Sequence, residues 1–395
     1  MKNVYLLALG AFLVGTAELI VSGILNALAA SLSITEAQAG QLVTAYSLGF
    51  AVGTPILAAL TSRFNRTALS LASLLAFAVI SFFTALIGEY VFLLAARVVM
   101  GAGAGLFCVI ALGSVSKLVG ANKLGLAMGS IALAFSLSMV AGVPLGVAMA
   151  KAWGWPSIFY ALAIGSLLVG ALMKRSLPSI AAETPEPFFR QFAVLGQGAV
   201  IGPLLLSLLL AAGNSVVLTY MQPIVERALD LSPEALSIVL LALGVIGIAG
   251  SQLGGLGVDR FGSERVLLLS LAASSAALAV LPLVAEASAA AGLTLIGVWG
   301  FSMFCAAPAI NAYLARSSPR SAHVVLGLNI SFTHLGLALG AAAGGWLIKA
   351  SDSGLYHPWL AAAFMFFALV TGALSIRRQP GPNDATKKGP LPRTL

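Results

Sequence analysis

The stretch from Val4 to Ala30, VYLLALGAFLVGTAELIVSGILNALAA, holds one charged side chain, Glu18, among 27 residues. A helix that crosses a bilayer needs about 20 mainly apolar residues, so this segment is long enough to span one. It is too long for the apolar core of a signal peptide, offers no convincing cleavage site and carries an acid at its centre. Outward from it, the chain presents eleven more such stretches. They fall near 38–60, 67–88, 90–115, 124–150 and 155–174, then near 198–225, 234–256, 264–285, 289–314, 322–349 and 356–377. The 395 residues are 59% hydrophobic and 9% charged, against about 25% charged in soluble domains, and the mean hydropathy is +1.02. These features specify an all-α integral membrane protein with twelve transmembrane helices.

The cations sort by side. With both termini placed in the cytoplasm, segments on that side carry 17 of the 21 lysines and arginines. These are Lys2; Arg63 and Arg66; Lys117 and Lys123; Lys174, Arg175 and Arg190; Arg260 and Arg265; Arg316 and Arg320; and five from Arg377 onward. Lys151, Arg227 and Lys349 fall opposite, and Arg97 falls inside a span. Such asymmetry is the positive-inside pattern, so the net charge of +8 reads as topology anchoring and calls for no nucleic acid. Cys108 and Cys305 lie in apolar spans and read as small packing residues rather than a disulfide or metal site. No metal-ligand spacing, phosphate-cradling loop or nucleophile constellation is present, which argues against an enzyme and implies no cofactor.

The second half echoes the first. A shift of 198 places Glu36 on Glu234, Gly142 on Gly340, Gly146 on Gly344 and Lys151 on Lys349, and a shift of 197 places Arg63-Phe64 on Arg260-Phe261. Two parallel six-helix repeats related by an axis along the membrane normal are a transporter architecture, in which the halves rock about a site between them. The expected organisation is a six-helix bundle over 1–174, a cytoplasmic linker over 175–197, a second bundle over 198–377 and a cytoplasmic tail over 378–395. Prolines and charges mark the linker, and the tail is basic and rich in Pro and Gly.

Several motifs narrow the class. Gly254-Gly255-Leu256-Gly257-Val258-Asp259-Arg260-Phe261-Gly262 resembles the loop signature of the major facilitator superfamily. The matching first-half loop keeps Arg63 and Phe64 but has Ser62 for the usual Asp and Asn65 for the usual Gly. The resemblance implies a conformational latch on the cytoplasmic side, formed by Arg63, Arg66, Asp259 and Arg260. Arg97 followed by Gly101, Gly103 and Gly105 resembles that family's Arg-plus-glycine element on helix 4. Gly142-Val143-Pro144-Leu145-Gly146 resembles the antiporter signature of proton-driven drug exporters, with an extra residue between Gly142 and Pro144. Gly15-Thr16-Ala17-Glu18, then Gly40 to Tyr46, then Phe332 to Gly336 with His334 in place of a more usual Asn, are similar to the bacterial efflux group of drug, sugar and purine exporters.

Glu18 sits about 14 residues from one end of its span and 12 from the other, close to the bilayer centre. A charge at that depth costs about 2.5–3.5 kcal/mol even on lenient insertion scales. An acid there can take up a proton on one side and release it on the other, whereas an inert position would hold Gln at lower cost. Arg97 lies about 10 Å deep on helix 4, positioned to pair with Glu18 or to hold backbone carbonyls. His334 is the third titratable group at depth, while His323 and His357 fall near membrane edges. At the 198 shift Glu18 falls on Val216 and Arg97 on Leu295, so the scaffold repeats but these charges do not.

If the family arrangement holds, helix 7 with Asn214 and Tyr220 and helix 10 with Trp299 and Asn311 border a central cavity together with Glu18 and Arg97. The expectation is therefore a multi-pass protein of the bacterial inner membrane, monomeric, that exports small organic molecules, drugs foremost, in exchange for protons. A sugar, purine, nucleoside or amino-acid transporter on the same scaffold is the alternative.

Overall fold

The computed structural model describes residues 1–120, 123–182, 198–317, 322–351 and 354–378. The linker from 183 to 197, including Arg190, Arg320 and the tail from 379 lie outside the described residues, as do the side chains of His323 and Glu234. Twelve helices are long and apolar enough to cross a membrane. They are α1 (Lys2–Gly23), α2 (Glu36–Leu60), α3 (Arg66–Leu86), α4 (Tyr90–Leu118), α5 (Leu126–Trp153) and α6 (Pro156–Ser176), then α7 (Val200–Thr219), α8 (Ala235–Phe261), α9 (Ser263–Ala285), α10 (Ala289–Ser317), α11 (Val324–Ser351) and α12 (Tyr356–Arg377). No strand occurs among the described residues.

Packing repeats with the sequence. α1 packs on α5 and α6 as α7 packs on α11 and α12, α2 packs on α4 as α8 does on α10, and α3 packs on α4 and α6 as α9 does on α10 and α12. The first span of each set breaks near the same place in the repeat, α1 at Ile24 before the short helix Leu25–Leu32 and α7 at Tyr220. Ser33 and Asp230, 197 positions apart, then turn the chain in the left-handed region with φ of 53° and 52°. Between the sets, α2 lies along α11, α5 against α8, and α1 against α7.

Small residues set these approaches. Without water to expel, helices in lipid associate through close backbone contact and hydrogen bonds. A Cβ at Gly101 on α4 would stand 2.0 Å from the Tyr46 carbonyl oxygen, so α2 and α4 cross backbone to backbone. In the antiporter-like stretch, Gly142 and Gly146 accept Thr16 and Ile20 of α1 at the distances where a methyl would sit. Pro144 follows a wide π-turn at Ser138–Gly142, where the backbone is already released from regular helical bonding.

The first-half loop at the chain-end face is held by its own side chains. Ser62 donates back to the Ala59 carbonyl at 2.9 Å, and Asn65 instead caps α3 by accepting from the Ala68 N–H at 3.0 Å. The start of the linker docks there: Arg66 N–H donates to Ile180 O at 2.9 Å, and Thr67 Oγ1 donates to Pro178 O at 2.7 Å.

Candidate functional site at the interface of the two halves

A second π-turn, Gly49–Gly53, interrupts α2. One added residue rotates the remainder of the helix by about 100°, a single residue's share of a turn. Phe50 in that turn lies flat on the imidazole of His334 from α11, with ring centroids 3.6 Å apart and planes 2° apart. The His334 Nδ1 is 2.8 Å from the Ile330 carbonyl oxygen one turn earlier. Its Nε2 faces Glu18 Oε1 of α1 at 3.3 Å, and the two side chains remain 12% and 15% exposed. Two of the three titratable groups expected at depth therefore meet, one from each half.

Arg97 meets Glu18 differently. Its guanidinium is buried, with Nη1 donating to Ala17 O at 2.6 Å, Nη2 to Glu18 O at 3.4 Å and Nε to Leu42 O at 3.1 Å. The Tyr46 ring lies beneath it, 4.3 Å from centroid to guanidinium carbon, and the Tyr46 hydroxyl donates to Val14 O at 3.1 Å. Five donors on a planar fork satisfy several carbonyls at once, and the ring face adds cation–π attraction. Arg97 thus clamps the turn of α1 that carries Glu18 and contacts its backbone oxygen, not its carboxylate. Arg97→Lys keeps a cation but loses the fork. The expected outcome is normal insertion, a lowered melting temperature and only partial transport, measured on purified and reconstituted protein; unchanged melting would contradict the clamp.

The polar residues read on the second half are placed as follows. Trp299 Nε1 donates to Asn214 Oδ1 at 3.1 Å, with the indole fully buried. Tyr220 is fully buried and donates to Ala341 O at 3.0 Å. These groups tie α7 to α10 and α11. Asn311 is exposed and accepts from Asn329 Nδ2 at 3.3 Å, toward the chain-end face. His357, read as interfacial, is instead fully buried: its ring sits 4.9 Å from that of Tyr220, and Nε2 is 3.1 Å from Gly344 O. Gly344 leaves the space that brings both rings together.

On the face away from the chain ends, a polar cluster joins the halves. Asn26 takes Gln222 Oε1 on its N–H at 3.3 Å and donates through Nδ2 to Glu226 Oε2 at 3.1 Å, while Gln222 Nε2 donates to Glu226 Oε1 at 2.8 Å. Arg227 forms an ion pair with Glu36. The available signal was Arg227 itself, one of three cations on the side otherwise poor in them. At the opposite face Arg63, Asp259 and Arg260 are exposed, and Arg260 lies over Phe261 at 5.3 Å. Among the described residues no ion pair joins Asp259 or Arg260 to another side chain. Among the described residues, the polar links given above between the halves run from the Glu18–His334 level to the face away from the chain ends.

A two-fold repeated helical bundle with a polar contact between its halves at mid-depth is a transporter's arrangement. The model of the Major Facilitator Superfamily matches residues 7–332 and again 204–394, and the chain belongs to that superfamily. It is 33% identical over 378 residues to the uncharacterized MFS-type transporter YbcL of Bacillus subtilis (strain 168), covering 96% of each chain. It is 28% identical to the inner membrane transport protein YdhP of Escherichia coli (strain K12), covering 95% of this chain and 96% of that one. Among solved structures, a bacterial homolog of the human lysosomal transporter Spinster, inward-facing and occupied, shares 16% identity with a TM-score of 0.77, covering 95% of this chain and 96% of the other. The D-xylose-proton symporter shares 18% identity with a TM-score of 0.76, covering 95% and 97%. The likeness to these structures is one of fold. The protein is accordingly a multi-pass membrane transporter, not an enzyme, performing secondary transport of small molecules.

Proposed function

We propose that the chain exports a small organic molecule, drug-like compounds foremost, across a bacterial inner membrane in exchange for protons. It works as a monomer with both termini in the cytoplasm. The observation that carries this reading is the contact of an acid and a base, Glu18 and His334, supplied by opposite halves at mid-depth. The Asn26–Gln222–Glu226 cluster and the Arg227–Glu36 pair join the halves on the face away from the chain ends, which this reading places outside. Protons carried inward on the pair are released toward the cytoplasm, and substrate enters from the same side. One charge crossing 100 mV supplies about 2.3 kcal/mol before any pH gradient is counted. Exposed Asn311 and partly exposed Glu18 are the first groups substrate meets, whereas Asn214, Tyr220, Trp299 and Arg97 are covered until the halves rock apart.

The test has two stages. Ligands that bind the native state raise its stability, so thermal unfolding against drugs, sugars, nucleosides and amino acids identifies the substrate class. Vesicles with an imposed pH gradient should then concentrate the ligand on the acid side. Accumulation on the alkaline side, or none without sodium, would overturn proton-driven export, and a sugar or nucleoside hit would make this a metabolite transporter.

Closure of the cytoplasmic face falls in this reading to Arg63 and Arg66 of the first half and Asp259 and Arg260 of the second, with the second half weighing more. Asp259 carries a full negative charge there, whereas Ser62 is neutral and engaged with Ala59 O. Asp259→Asn should therefore slow transport several-fold more than Ser62→Ala at equal expression; equal rates would reject the assignment.

A further inference from the structure

We infer that the linker between the halves begins as a docked strap, and that Asn65 and Thr67 are positioning residues that use it to fix the first-half loop carrying Arg63 and Arg66. α6 ends at Ser176, and Pro178 cannot continue it. The residues that follow lie against the start of α3. Thr67 Oγ1 donates to Pro178 O at 2.7 Å and accepts from Ile180 N–H at 3.1 Å, while Arg66 N–H donates to Ile180 O at 2.9 Å. Asn65 divides its amide between two tasks: Oδ1 accepts from Ala68 N–H at 3.0 Å, and Nδ2 donates to Ser179 Oγ at 2.7 Å. Ile180 and Arg66 are both buried.

The first N–H groups of a helix have no partner within it, and a cap side chain satisfies only one or two of them. Here the cap serves Ala68 and the strap serves Arg66, so the linker completes the start of α3. The same loop has Ser62 and Asn65 at the two positions where it departs from the superfamily signature. Ser62 is neutral and turned to Ala59 O, so no acid anchors the loop there; Asn65 instead supplies the amide that reaches the linker. The second half lacks this receptor. A shift of 197 puts Gly262 at the place of Asn65 and Glu264 at that of Thr67. Glycine offers no side chain, and a carboxylate cannot donate to a carbonyl. Ser176 falls on Ala373, and α12 continues past it as helix. The receptor is therefore present in the half from which the linker leaves and absent from its repeat.

The inference rests on the reading that Arg63 and Arg66 belong to the cytoplasmic latch, and it makes the linker a working part of that latch rather than a tether. Arg63 stands two residues before Asn65, and Arg66 follows it directly. Holding Asn65, Arg66 and Thr67 on the strap fixes the backbone from which both cations project. The bonds named above join neutral groups, so the strap should hold at any salt concentration.

The experiment uses the full chain in lipid nanodiscs and two readouts that need no substrate. The first is hydrogen exchange at the Ile180 amide, followed by mass spectrometry. Thr67→Val keeps the shape of the side chain and removes the hydroxyl, so exchange there should quicken by about tenfold, whereas Thr67→Ser keeps the hydroxyl and should leave it slow. The second is the spread of separations between spin labels at exposed Phe64, in the loop, and exposed Ser116, at the end of α4; both native cysteines are buried. The spread should be narrow in the unsubstituted protein and in Thr67→Ser, and broad in Thr67→Val. Ser179→Ala, which loses the Asn65 bond alone, should broaden it less. Fast exchange at Ile180 in the unsubstituted protein, or exchange unchanged in Thr67→Val, overturns the strap. Faster exchange with the label spread still narrow overturns the positioning role. Neither readout depends on what is transported or in which direction, so failure of proton-driven export in vesicles would leave the strap standing, and a loose loop in the unsubstituted protein would sink the strap alone.

Discussion

Glu18→Gln should abolish proton-driven accumulation of substrate, to the level of protein-free vesicles, while the protein reaches the membrane in normal amounts. Gln matches Glu in size and retains hydrogen bonding, but it cannot carry a titrating proton. Insertion should not suffer, because the change removes a group whose charge costs about 2.5–3.5 kcal/mol at the bilayer centre. Substrate binding should persist, since the amide still contacts His334 Nε2 and leaves the Arg97 clamp on the α1 backbone untouched. Downhill movement should continue with a flattened pH dependence. Uphill accumulation at the wild-type rate would assign the proton to another group.

Gly40→Val should give a comparable loss by a different route. Gly40 is on α2, and a Cβ there would stand 2.0 Å from the Tyr220 hydroxyl oxygen. On the other side, a Cβ at Gly344 would stand 2.5 Å from the Tyr220 ring and one at Gly345 2.7 Å from its hydroxyl. The ring thus fills a slot lined by glycines of both halves, anchored by its bond to Ala341 O. A valine at 40 forces Tyr220 out, breaks that bond and wedges α2 away from α11 on the face away from the chain ends. The protein should insert normally, with transport reduced at least tenfold. Gly129→Val is the control, because nothing lies within 4 Å of a Cβ at that position. Wild-type transport by Gly40→Val would remove Tyr220 from the closure.

The number and approximate limits of the spanning helices were legible because lipid imposes one requirement, sustained apolar length, that composition displays directly. Offsets such as Gly142 to Gly340 pointed to a repeat that the helix packing reproduces. Glu18 and His334 stood out as ionisable groups at depth, but their contact did not, because it joins residues more than 300 positions apart. The alternatives for Arg97 were also visible, and the choice between them depended on three carbonyls supplied by α1 and α2. Phe50 was invisible as a partner, since an aromatic in an apolar span carries no signal and its direction depends on the π-turn at Gly49–Gly53. The joining of Asn26, Gln222 and Glu226 did not show in the sequence for a related reason: they are ordinary polar residues near helix ends until the two halves bring them together.

The central claim is that the proton on Glu18 and His334 moves opposite to substrate. The most direct measurement is proton flux in proteoliposomes under a pH-sensitive dye, triggered by a substrate gradient with no pH difference imposed. Substrate leaving one side should drive protons into that side in the wild type, and the flux should vanish in Glu18→Gln while substrate still moves downhill. Proton flux that persists in Glu18→Gln, or that runs in the same direction as substrate, would contradict it.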